Sequence, residues 1–295
     1  MASESREPWV SSPADDDAQV QRPLTLDTSV PHTARMYDYL LGGKDNFAVD
    51  RAAVEKVLAV MPDMPQSIRL SRLFLRRAVR YAAWRGITQF LDVGTGIPTA
   101  GNVHEVAQEM SPEARVAYVD HDPIVLTHAR ALLSDEEQGR VTIVLCDLRE
   151  PETILANPEV REIIDFDRPV ALMLVAVLHF IRDDEDPYGL VKRLCDGLAP
   201  GSMLMLTHAT MDPDPETGHK ASTGWANASS TMNMRTFDEI QRFFDGLEFV
   251  EPGLTGRWNP DDEPMEILEQ SIKNIWGYGA VAVKPLTGPG EGAGR

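Results

Sequence analysis

Three short apolar runs each carry an aspartate at or near their end: Asp92 in "ITQFLDV", Asp120 in "RVAYVD" and Asp147 in "VTIVLCD". Gly94, Thr95 and Gly96 follow the first, and two glycines at that spacing permit a tight turn and close backbone approach to a ligand. The amides of a helix beginning there can receive an anionic group. His179 in "AVLHF" and His208 in "LTHAT" end the next two runs. They are the candidate acid–base groups, because histidine titrates near neutral pH. Each residue also has a structural alternative: Asp commonly caps the helix after a strand, and a buried histidine can be a hydrogen-bonded core group.

The elements that must position these residues are legible from residue 87 onward. Short apolar runs alternate with helical segments, the pattern of parallel βα units. "VALMLVAVL" and "SMLMLTH" continue the series, and the connectors after Thr99, Pro123, Pro151 and Pro187 are long enough for crossover helices. "LEFVEP" and "GYGAVAVK" complete seven strands, after a helix "RTFDEIQRFFDG" whose Thr236 and Glu239 suit a capping box. The segment before residue 87 is helical, with "SIRLSRLFLRRAVRYAAWRG" capped at Ser67 and stopped at Gly86. Its Arg69, Arg72, Arg76 and Arg80 form a stripe, read as a solvated face pairing with the acidic body.

In an open α/β sheet, ligands bind beyond the carboxyl ends of the strands. The dinucleotide pattern G-x-G-x-x-G needs a third glycine where Thr99 stands, and Pro98 breaks the shorter G-x-G-x-G. A pyrophosphate cradle, and with it a nicotinamide-dependent dehydrogenase, is disfavoured. S-adenosylmethionine carries no phosphate and presents an ammonium, a sulfonium, a ribose diol and an adenine, which suits a turn with three carboxylates. Asp92 can meet the ammonium. Asp120, 26 residues after Gly94, can accept from the ribose hydroxyls, and Asp147 from the adenine amino group.

"FLDVGTG", "YVDHDP", "VLCD" and "GLAPGSMLML" resemble the motifs of class I S-adenosylmethionine-dependent methyltransferases. More narrowly, "SVPHTARMYDYLLGGKDNFAVDR", "LDVGTGIPT" and "TFDEIQRFFDGLEFVEPGL" are similar to an actinobacterial S-adenosyl methyltransferase family long catalogued as a domain of unknown function. The resemblance implies an α/β Rossmann-like fold with a seven-stranded sheet, mostly parallel with the last strand antiparallel, and additional N-terminal helices. It implies a cofactor site of Asp92, Gly94, Thr95, Gly96, Asp120, His121, Asp147 and Leu148. The expected divisions are a disordered tail (1–27), a helical cap (28–86), a methyltransferase domain (87–285) and a flexible tail (286–295).

Two stretches are candidates for enclosing the acceptor. In "HTARMYDYLLGGKDNF", glycines interrupt a helical pattern; Tyr37, Tyr39, Gly43, Lys44, Asp45 and Asn46 are expected to form a lid, or else an ordinary helix cap and connector. "MDPDPETGHKASTGWANASSTMN" is expected to be a binding loop. His104, His121 and His128 are read as helix-surface or capping residues, with the His121 backbone able to lie against adenine.

With 28 Lys and Arg against 46 Asp and Glu, the net charge of −18 repels phosphate backbones and anionic membranes. Cys146 and Cys195 lie in no paired or metal-spaced motif, and the Asp261–Glu263 cluster lacks calcium-loop spacing. No run approaches a membrane span, and the N-terminus lacks a signal-peptide layout. The expectation is a cytoplasmic enzyme that methylates a small molecule, with no metal, nucleic acid or membrane partner and with a homo-oligomer left open. A non-catalytic S-adenosylmethionine-binding regulator is the alternative.

Overall fold

A computed structural model describes residues 27–98, 101–132, 139–225, 231–260, 272 and 274–286. The expected tails lie almost entirely outside these residues, as do Thr99 and the Asp261–Glu263 cluster. Seven strands form one sheet in the order β3-β2-β1-β4-β5-β7-β6. They are β1 (Gln89–Val93), β2 (Arg115–Asp120), β3 (Val141–Leu145), β4 (Ala171–Val175), β5 (Met203–Ala209), β6 (Glu248–Phe249) and β7 (Gly277–Val283). β7 runs antiparallel to both β5 and β6, and the remaining pairs are parallel. Strand order reverses between β1 and β4, which opens a crevice at their carboxyl ends.

Alternation along the strands sends successive side chains to opposite faces. On one face Leu91, Val119, Leu172, Leu174 and Leu206 pack among α6 (Pro151–Ala156), α7 (Pro158–Ile163), α8 (Pro187–Asp196) and α10 (Phe237–Gln241). On the other, Phe90, Val116, Met173 and Met205 meet α3 (Met64–Trp84) and α4 (Val103–Met110). α5 (Pro123–Leu132) follows β2. α5, α6 and α8 begin at the expected prolines, and Thr236 with Glu239 forms the expected capping box of α10. α3 starts before Ser67, with Asp63 as its N-cap and a proline in its first turn, and Gly86 stops it at φ 85°.

A third apolar cluster joins α1 (Thr33–Leu40), α2 (Ala48–Leu58) and α9 (Pro215–Trp225) through Met36, Val54, Val57, Met61, Trp225 and Trp276. Much of the stretch expected as a loop after β5 is therefore helix: α9 has an apolar side to bury against α1 and α2. The expected boundary at residue 86 separates α3 from the sheet on which it packs. α1 and α2 are locked by a fully buried ion pair, Arg35 Nε to Asp50 Oδ2 at 2.9 Å. Asp50 also accepts from the amides of His32 and Phe47, so its charge is satisfied from three sides.

Candidate active site

The crevice at the β1–β4 reversal is a cavity of about 1240 Å³, its open mouth included, ample for a small-molecule ligand. It is lined by Asp92, Gly94, Thr95, Gly96, Asp120, His121, Asp147 and Leu148, which brings all eight expected cofactor residues to one place. The glycine turn is tied to β2. Gly94 N–H donates to Val119 O at 2.8 Å and Gly96 N–H to Asp120 Oδ2 at 2.9 Å. Gly94 has φ 82° and a side chain there would collide with Val177; Gly96 has φ 67° and faces open space. Only glycine combines that backbone with that proximity.

Each aspartate has a distinct setting. Asp92 is 6% exposed, and burial pushes its pKa up to about 7, with Asp120 adding to the rise and Arg72 opposing it. Asp120 accepts from Gly96 N–H and Asp122 N–H through different oxygens, which leaves further lone pairs on both. His121 Nδ1 lies 3.5 Å from Asp120 Oδ1, and its bond to that carboxylate raises the imidazole pKa. Asp147 is half-buried and accepts from the Arg149 amide at 2.9 Å and its guanidinium at 3.2 and 3.3 Å. Arg149 Nε meanwhile bonds Glu185, tying the loop after β3 to the segment before α8.

A second cavity of about 820 Å³ adjoins the first, and Tyr37, Ala176 and Phe180 line both. Its walls are apolar and aromatic, with Phe74, Trp225, Trp258 and Trp276 among them. β4 ends earlier than the run "VALMLVAVL" suggests. Ala176 takes φ 57°, a left-handed conformation disfavoured for a residue with a side chain, and the chain turns inward through 178–180. His179 thus sits beyond the strand, buried, lining this cavity, with Nδ1 lacking a partner among the described residues. Burial, then Arg235, lowers its pKa to about 3.

His208 also lines the cavity, but both its ring nitrogens are engaged: Nδ1 with Ala209 O at 2.7 Å and Nε2 with Arg235 at 2.8 Å. The Nε2 lone pair that a base would use is thus occupied by the guanidinium. Burial, His179 and Arg235 hold its pKa well below the usual histidine range.

The chain matches the model of the family described as S-adenosyl methyltransferase over residues 19–285. It belongs to that family. It is similar to the crystal structure of a DUF574 family protein from Streptomyces avermitilis, with 42% identity, a TM-score of 0.82 and coverage of 88% of this chain and 99% of that one. A putative methyltransferase from Thermobifida fusca shares 42% identity at a TM-score of 0.81, over 90% and 99% of the two chains. The carboxy-S-adenosyl-L-methionine synthase of Citrifermentans bemidjiense is 26% identical over 171 residues, which span 56% of this chain and 64% of that curated relative's length.

S-adenosylmethionine is the cofactor of this methyltransferase family, and the first cavity fits it on its own evidence. A buried carboxyl whose ionised form lacks solvation suits a cationic ligand, Asp120 keeps free acceptor capacity, and Gly96 leaves room beside it. Sequence reasoning missed Arg72, which lines this cavity and exerts a field on Asp92 and Tyr37. Arg69, Arg76 and Arg80 remain on the exposed face. His32 and Asp122 were also missed. Their side chains meet at 3.0 Å where α1 crosses the loop after β2, and both line the cavity.

Of the six residues expected to form a lid, or else an ordinary helix cap and connector, Tyr37 lines both cavities and the other five line neither. Tyr39 bonds Glu55 on α2, and Asn46 closes the turn by donating to Asp38 Oδ2 and Gly43 O. Gly43 packs against the Asp38 carboxylate, and Lys44 and Asp45 are exposed. The stretch is a helix stop and connector. His104, expected near the surface, is buried with its Nδ1 2.7 Å from the Tyr118 hydroxyl. Among the described residues no helix is long and apolar enough to cross a membrane, and no cluster of potential ligands could hold a metal ion.

Proposed function

We propose that this methyltransferase acts on a small molecule seated in the second cavity. The observation that carries this reading is the meeting of two cavities of opposite chemistry at Tyr37, Ala176 and Phe180. A protein that only sensed the cofactor would need the first cavity alone, so the pair favours transfer over regulation.

Asp92 would neutralise the ammonium end of the cofactor, Asp120 take the ribose hydroxyls and Asp147 the adenine amino group, with His121 and Leu148 beside the ring. Arg72 would meet the carboxylate, beside the turn Gly94–Thr95–Gly96. When bound, S-adenosylmethionine supplies a methyl group on a sulfonium, whose carbon–sulfur bond breaks as the acceptor's lone pair forms the new bond and sulfur keeps the electron pair.

The chain contributes alignment and exclusion of water. Phe180 and Trp225, 6.0 Å between ring centroids, wall the acceptor side. A histidine with a pKa of about 3 does not hold a proton at neutral pH, so His179 serves as a hydrogen-bonding partner that orients the acceptor. On this reading the cap comprises α1, α2 and α9, and α3 belongs to the methyltransferase domain.

Calorimetric titration with S-adenosylmethionine, using Asp120→Ala as the control, tests the site, and release of S-adenosylhomocysteine across an acceptor set tests transfer. Saturable binding lost in the variant, followed by turnover, is expected. Binding indifferent to Asp120 would overturn the site assignment, and binding without turnover on any acceptor would favour the regulator.

A further inference from the structure

Asp122, buried in the loop after β2, fastens three elements together. Its amide donates to Asp120 Oδ1 at 3.0 Å, its Oδ1 accepts from the Ile124 amide at 2.8 Å where α5 begins, and its Oδ2 lies 3.0 Å from His32 Nε2. Burial works to raise its pKa, but the bonds from His32 and the Ile124 amide outweigh that and leave it lowered, so Asp122 meets His32 as a carboxylate. A carboxylate only accepts, so His32 Nε2 carries the proton between them.

His32 stands at the start of α1 and is itself held. Its amide donates at 2.9 Å to Asp50 Oδ1, on the carboxylate that pairs with Arg35 between α1 and α2. Five residues on, Tyr37 bonds Ser71 on α3 and lines both cavities. At the usual helical rise these two anchors are about 7.5 Å apart along the axis. α1 therefore runs from beside Asp120 to the junction where the cavities meet, and His32, Thr33, Ala34 and Tyr37 all line the cofactor cavity. The contacts continue without a break from the glycine turn to α2, through Gly96, Asp120, Asp122, His32 and Asp50.

We propose that His32 and Asp122 are positioning residues that couple cofactor binding to the seating of α1, and through α1 to the placing of Tyr37 at the transfer junction. This rests on the assignment of Asp120 to the cofactor. Ribose hydroxyls bonded to Asp120 would restrain its carboxylate, and with it the Asp122 amide and the oxygen that faces His32. Coupling is reciprocal: the factor by which the cofactor favours seated α1 is the factor by which seated α1 favours the cofactor.

The test uses the full chain with S-adenosylhomocysteine as the probe, calorimetry for its affinity and hydrogen exchange for the amides of α1. In the wild type, saturating probe is expected to slow exchange in α1 about tenfold. His32→Ala should lose that slowing and bind the probe more weakly by the same factor, about tenfold. His32→Gln, whose side-chain amide can donate to Asp122 in place of the imidazole, should recover most of both. A histidine with a structural role alone would leave the affinity unchanged and let α1 exchange faster to the same extent with and without the probe, which would overturn the proposal. So would bound probe that leaves α1 exchange unaltered in the wild type, or a His32→Gln variant that recovers neither property. Binding and slowing that both survive Asp120→Ala would place the cofactor elsewhere and overturn the coupling together with the site. Binding lost in Asp120→Ala but untouched in His32→Ala would remove the coupling and leave the site standing.

Discussion

Arg235 Nη1 lies 2.8 Å from His208 Nε2. A guanidinium only donates, so the imidazole must keep its lone pair there and carry its proton on Nδ1, directed at Ala209 O. The same guanidinium donates to Leu178 O and Ile181 O and pairs with Asp183, which fixes the turn that presents His179. Arg235→Met would strip a buried ring nitrogen and two carbonyls of their donor. A loss of about 3 kcal/mol or more is expected, measured by urea denaturation. The nitrogen chemical shifts of His208 should report the Nδ1–H tautomer from pH 5 to 8. A protonated ring in that range, or an unchanged midpoint in the variant, would refute this account.

The carboxyl of Asp92 makes cofactor binding depend on pH. Its pKa rises from 3.8 to about 7 on folding, chiefly through burial. Between those values the native chain holds a proton that the unfolded chain releases, so this group's contribution to stability falls as pH rises through the window and is least above 7. A cationic cofactor favours the ionised form. Affinity for S-adenosylmethionine is therefore expected to increase from pH 5.5 to a plateau above 7, with proton release at pH 6 seen as buffer-dependent binding enthalpy. Asp92→Asn should flatten the profile and weaken binding about tenfold or more, the worth of a charge-assisted bond. A profile unchanged in that variant would assign the proton to another group.

Gly94 and Gly96 should respond differently to the same substitution. Gly94→Ala adds a left-handed residue and a collision with Val177, and about 2 to 4 kcal/mol of stability is expected to go. Gly96→Ala has open space to fill, so strain alone costs about 1 kcal/mol, yet its methyl group projects beside the cofactor and should reduce affinity at least tenfold. Melting curves with and without cofactor separate the two. Equal destabilisation with equal affinity loss would mean that the turn yields as a unit.

The sheet was legible because β1 to β5 are buried on both faces and so appear as apolar runs punctuated by aspartate, glycine and proline. The residues proposed for the cofactor were brought together in one cavity for the same reason: they sit where each run stops. Position beyond a strand was not. His179 and His208 look alike in sequence, and what separates them is Arg235, more than 25 residues away from either. Periodicity likewise placed Arg72 on one stripe with Arg69, Arg76 and Arg80. Only the crossing of α3 over the carboxyl end of the sheet distinguishes it. The double glycine before Lys44 signals a break in the helix, and a break alone does not say whether the next residues fold over a ligand or back on Asp38.

Tyr37 and Asn46, nine residues apart in the expected lid, should now separate cleanly. Asn46 Nδ2 donates to Asp38 Oδ2 at 2.8 Å, and neither residue lines either cavity. Asn46→Ala is expected to cost about 1 kcal/mol of stability and leave KM for cofactor and acceptor unchanged. Tyr37 lines both cavities, and its hydroxyl bonds Ser71, whose Oγ lies 3.0 Å from Thr207 Oγ1, which in turn accepts from the Ala176 amide. Burial raises the Tyr37 pKa, so the phenol stays neutral and acts through position. Tyr37→Phe keeps the ring and frees Ser71; kcat is expected to fall more than the affinity for S-adenosylmethionine, because the chain of hydroxyls ends on the residue whose strained backbone divides the cavities. Steady-state kinetics on any accepted substrate, beside calorimetry with the cofactor alone, makes the comparison. Should Tyr37→Phe match Asn46→Ala in every constant, the junction would have no part in transfer and the acceptor would have to approach the cofactor from elsewhere.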